Sequence, residues 1–225
     1  MKKHDDKLNA IESVKVWYGF SIFTIILALV AYPLLMTFAF ALFMILISGD
    51  RDIIFKNDFL GAIALATQLM LIAVIYLRGI KKENPGGKFL RTVKGGFDTF
   101  AKSTASTTLG SVISVILMTG ILAVLEYIGI IITFSGLKRY LLYVSCALLI
   151  VGLTGFMRCV SSYTLSMVYL GILVGSAAII PYVVNKLFYE KFIFYGVIIG
   201  AAAIVMIIIS TILTIRFVKE RIWDK

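Results

Sequence analysis

Glu126 is the residue with the most chemical potential in this sequence, because it is the single carboxylate inside a long apolar run. A charge in hydrocarbon is costly, so an intramembrane acid is a candidate site for protons, cations or substrate. A plainer reading stands beside that one. Glu126 lies about seven residues from the end of its run, where its side chain can snorkel, stay protonated, or pair with Lys138 or Arg139. No second chemical group accompanies it. His4 is the sole histidine and sits in a charged N-terminal tail, which leaves histidine triads, HExxH zinc sites and His-liganded haem without support. Cys146 and Cys159 stand thirteen apart in or at the end of one apolar run and imply neither a disulfide framework nor a metal site. P-loop, GxSxG and Rossmann patterns do not occur, and the glycine pairs at 86–87 and 95–96 lack the lysine and strand context of a phosphate cradle. The reading is therefore of a chain with no catalytic residue, no cofactor and no metal ligand set.

The elements that would hold Glu126 are membrane helices. Hydrophobic residues make up 60% of the 225, only 15% are charged, and the apolar excess is gathered into runs of about twenty. The expected fold class is all-α, a polytopic membrane protein of six spans near 22–47, 59–77, 111–133, 137–157, 163–184 and 192–218. Ile11, Val14, Trp17 and Tyr18 form an apolar face ahead of the first run, so residues 11–20 read as an interfacial elbow. The run 16–48 would reach about 50 Å as a straight helix, against a hydrocarbon core of about 30 Å. The first span is therefore tilted, and Pro33 within it is a tolerated kink. Gly171 with Gly175, and Gly196 with Gly200, form GxxxG pairs in the fifth and sixth spans, a spacing that lets helices approach closely.

Between spans two and three lies a polar island, residues 78–110. It carries Arg78, Lys81, Lys82, Lys88, Arg91, Lys94 and Lys102 against Glu83 and Asp98. Asn84-Pro85-Gly86-Gly87 breaks any helix leaving the membrane. Beyond it, Phe89, Leu90, Val93, Phe97, Phe100 and Ala101 fall near one helical stripe, which Gly95-Gly96 divides into two short amphipathic pieces. That face needs a surface: lipid headgroups, a groove on a partner, or the protein's own helix ends. With both termini inside, sixteen Lys and Arg fall on the cytoplasmic face and six outside, so the expected topology is N-in, C-in. The net charge of +10 follows from these basic loops, and no nucleic-acid motif accompanies it.

An elbow, six spans and an amphipathic first cytoplasmic loop resemble the membrane subunit of a type-2 ABC exporter. The phrase KFLRTVKGGFDTFAK at 88–102 is also similar to the loop of small permease-like proteins of Gram-positive bacteria. The resemblance implies a permease in the bacterial cytoplasmic membrane that pairs as a homo- or heterodimer and hydrolyses no ATP itself. A separate ABC ATPase would contact the loop, with Phe89, Val93, Phe97 and Phe100 as candidate coupling residues. One departure is the short stretch of about seven residues, 185–191, where the family often has re-entrant helices. Two other classes share the outline: a membrane-embedded substrate-binding component of an importer, and a non-transporting immunity or assembly factor.

Overall fold

In a computed structural model the described residues are 9–49, 59–80, 95–129, 139–159, 168–169, 171–172, 175 and 191–220, and they are helical with short connections and no strand. The first helix, α1 (Ala10–Tyr18), is set by local chemistry. Asn9 caps it, its side chain accepting from Glu12 N at 2.8 Å while Glu12 Oε2 accepts from Asn9 N at 3.2 Å. It stops at Gly19, whose left-handed φ of 79° suits glycine and whose N–H reaches Lys15 O. Ser21 then caps α2 (Ile22–Ser48), so the chain turns from one helix into the next within three residues. Ser13, Val14, Trp17 and Tyr18 make the buried face of α1, which lies against the N-terminal half of the long helix Gly96–Tyr127.

Among the described residues five helices are long and apolar enough to cross a membrane, which makes the architecture that of a multi-pass helical membrane protein. They are α2, α3 (Phe59–Ile80), α4 (Gly96–Tyr127), α5 (Tyr140–Gly155, continued by a 3₁₀ turn over Phe156–Cys159) and α6 (Phe192–Val218). The spans expected at 22–47, 59–77 and 192–218 coincide with α2, α3 and α6. The expected fifth span, 163–184, lies almost entirely outside the described residues, as does most of the island before Gly95.

The third span differs most from its expectation. In place of a loop to 110 and a span at 111–133, α4 runs unbroken for 32 residues, about 48 Å at 1.5 Å per residue. Gly95, at φ 86°, stands just ahead of it, so the glycine pair starts this helix instead of dividing a stripe. The polar stretch that reads as loop is an inward-facing stripe. Ser103, Thr104, Thr107, Thr108, Ser111 and Ser114 are buried, and the hydroxyls of Ser103, Thr107, Thr108, Ser111 and Ser114 each donate to a carbonyl three or four residues back. Hydroxyls satisfied inside their own helix can be buried at little cost, and their small size lets neighbours approach. At the far end, Gly129 adopts φ 79° and α4 is over by Tyr127.

Two features lock the bundle. Pro33 has no N–H to give Leu29 O, and Gln68 of α3 takes that place, with Nε2 3.0 Å from Leu29 O and 3.0 Å from Ser114 O. One amide thus ties α2, α3 and α4 together. The second feature is the seam between α5 and α6. Ser145 Oγ donates to Gly196 O at 2.7 Å, and a Cβ built on Gly152 would stand 3.0 Å from Ile207 N. Arg139 stacks over Phe192 at one end of this seam and Cys159 meets Thr214 at the other, so α5 and α6 run in the same direction.

Candidate functional site

Glu126 is the penultimate residue of α4, and it accepts a hydrogen bond of 2.7 Å from Tyr140 OH at the start of α5. The acid therefore stands in the last turn of its helix, half-buried, tied to the next element. Among the described residues no group of three or more His, Cys, Asp or Glu side chains stands close enough to hold a metal. This arrangement fastens a helix end.

The coupling residues separate into two pairs. Phe100 is 3% exposed and meets Trp17 of α1 edge-on, with ring centroids 4.8 Å apart. Phe97 is half-buried beside it at 6.3 Å, and Lys219 Nζ of α6 lies 5.9 Å over its ring. Of the three surfaces open to the amphipathic face, these two aromatics rest on the protein's own α1 and helix ends. Phe89 and Val93 lie outside the described residues. The glycine pairs also differ. Gly196 and Gly200 face Leu141 and Ser145 of α5, whereas a Cβ on Gly171 or Gly175 would meet nothing among the described residues within 4 Å. Sequence reasoning passed over Gly152 and Gly155, which complete the α5–α6 seam from the other side.

The residue that local sequence reading placed least well is Arg158. An arginine closing an apolar run reads as an interfacial marker, yet here it is 2% exposed. Three other elements surround it. Tyr76 of α3 lies beneath the guanidinium, its ring centroid 3.4 Å from Cζ. Arg158 Nη1 donates to Thr108 Oγ1 of α4 at 3.1 Å. Tyr18 of α1 shares side-chain hydrogen bonds with Arg158 and with Thr107. Burial pushes the Tyr18 phenol above its ordinary value, while Arg158 and the Thr107 hydrogen bond act in the opposite direction. At physiological pH that phenol is neutral and supplies no counter-charge.

Nor does a carboxylate supply one among the described residues. Glu12 caps α1, Asp98 pairs with Lys102 at 3.1 Å, Glu126 holds Tyr140, and Glu220 pairs with Arg216 at 2.8 Å. Burying a permanently charged guanidinium costs several kcal/mol. A desolvated cation–π contact returns about 2 kcal/mol, and each hydrogen bond from a charged group roughly 1.5–3 kcal/mol. Neutral partners can therefore offset most of the penalty. They leave Arg158 Nη2 and the Tyr76 hydroxyl buried with no hydrogen-bond partner among the described residues.

Comparison with protein-family models, with curated proteins and with solved structures finds no match for this chain. The class that fold and composition define is a multi-pass helical membrane protein, and its activity has to be argued from these helices alone.

Proposed function

We propose that this chain is the membrane subunit of an ABC-type exporter, a permease of the bacterial cytoplasmic membrane that works with a separate ATPase. The observation that carries this reading is the continuity of α4. It begins at Gly96, directly after the basic loop, and ends at Tyr127, near the start of α5 at the far end of the bundle. A helix of that length moves as a unit, so a push on the loop is felt along the whole bundle. Docking of α1 on its first turns, and the Gln68 tie to Ser114 and Leu29, distribute that displacement to α2 and α3. ATP hydrolysis belongs to the partner, and the chain acts as one half of a homo- or heterodimer.

The parallel course of α5 and α6 supports a sixth span. The end of α5 lies beside Thr214 and the start of α6 beside Arg139, so the chain has to return the length of the bundle between Cys159 and Phe192. The sixteen-to-six distribution of Lys and Arg then puts α1, the loop and the end of α6 in the cytoplasm.

Phe100 is a poor residue for testing the coupling role, because its loss would also undo the α1–α4 contact. The test falls on Phe89 and Val93. In a detergent pull-down from the native membrane, Phe89→Ala with Val93→Ala releases the ATPase by about tenfold or more while the chain stays inserted. A wild-type chain that purifies with no ATPase would sink the assignment. A ligand that co-purifies in its place would favour the importer component.

A further inference from the structure

The hydroxyls that hold Arg158 have their protons engaged elsewhere. Thr107 Oγ1 donates to Ser103 O at 2.7 Å and Thr108 Oγ1 to Thr104 O at 2.9 Å, so both oxygens offer the cluster only lone pairs. Thr108 uses its lone pair on Arg158 Nη1. With the Thr107 proton already given away, the Tyr18 phenol donates to Thr107 and accepts from Arg158. Two donors are left over: Arg158 Nη2 and the hydroxyl of Tyr76, the ring on which the guanidinium lies. What the cluster lacks among the described residues is one negative charge with more than one acceptor oxygen.

We propose that Arg158 and Tyr76 form a binding site for a phosphate oxyanion, supplied by the headgroup of an anionic lipid. A planar guanidinium beside a hydroxyl donor is suited to two oxygens of one phosphate. The position along the bundle selects the lipid source. The cluster lies where α1 covers the helix ends, and the outward face of α1 exposes Ile11 and Val16, with Phe20 exposed just beyond its end. A helix with such a face lies at the boundary of headgroups and acyl chains, which brings the phosphate layer level with Arg158. Tyr18 closes the cluster in this structure, so a headgroup reaches Arg158 as α1 turns outward about Gly19, the left-handed residue between α1 and α2. The site depends on the bundle and on α1, and it stands whether or not an ATPase docks on the loop.

Native mass spectrometry of the full chain in detergent tests this, titrated with short-chain phosphatidylglycerol and separately with inorganic phosphate. The wild-type chain retains one phosphatidylglycerol, and Arg158→Gln binds it about tenfold or more weakly. Tyr76→Phe leaves the ring under the guanidinium and removes only the spare hydroxyl. It folds as the wild type does and weakens retention roughly threefold. That second variant decides the matter if Arg158→Gln fails to fold. Retention of inorganic phosphate, with displacement of the lipid at millimolar concentration, would overturn the lipid source. Equal lipid binding by the wild type and Tyr76→Phe, or none by the wild type, overturns the site itself.

Discussion

Pro33 and Gln68 stand on different helices, yet together they repair one backbone defect. The proline leaves Leu29 O without its helical donor, and the Gln68 amide supplies one from 3.0 Å away. Gln68→Leu should therefore strand a buried carbonyl and cost about 1–3 kcal/mol. Pro33→Ala restores an N–H at the right place, so the cost of Gln68→Leu should fall by roughly 1 kcal/mol in that background. Thermal unfolding of the four variants in detergent measures the coupling. Strict additivity would mean that Gln68 acts on Ser114 alone. Neither partner is conspicuous in sequence, where a glutamine in an apolar run carries no pointer to the residue it serves. Arg158 teaches the same lesson, since its burial depends on Tyr18, Tyr76 and Thr108, each from another element.

At the scale of elements, close helix approach is decided by what lies opposite a glycine, and the GxxxG spacing alone does not reveal that. A Cβ on Gly152 would meet Ile207 N and Met206 Cβ, each at 3.0 Å, and backbone cannot step aside as a side-chain tip can. Gly152→Ala should destabilise the α5–α6 pair by about 1–3 kcal/mol. Gly171→Ala, exposed and with no described residue within reach of the new Cβ, should leave thermal unfolding unchanged. Reversal of that order would show that the seam lies elsewhere. The length of α4 belongs to the same scale. Its serine and threonine stripe has the composition of a linker, and only burial against α1, α2 and the end of α5 makes it helix interior.

For the whole molecule, the proposed orientation, with the basic residues on the inner face, predicts a loop shielded from the outer medium. Lys88→Cys in intact cells should react with a membrane-impermeant maleimide only after permeabilisation. Labelling from outside would invert the topology and remove the loop from reach of any cytoplasmic ATPase. The positive charge is then an orientation device and, along the leaflet, an attraction to anionic lipid.

The class was legible from sequence because the bilayer imposes one requirement on every spanning helix, about twenty apolar residues, and composition alone reports it. The bounds of α2, α3 and α6 follow from short-range signals: caps, glycine and apolar runs. Tertiary structure decided the rest. It placed Phe100 on Trp17, buried Arg158 among hydroxyls, carried α4 through a polar stretch and divided packed glycines from open ones. Each of these depends on which side chain a neighbouring helix presents at the same depth. That pairing is a relation between distant parts of the chain, and no local pattern of residues encodes it.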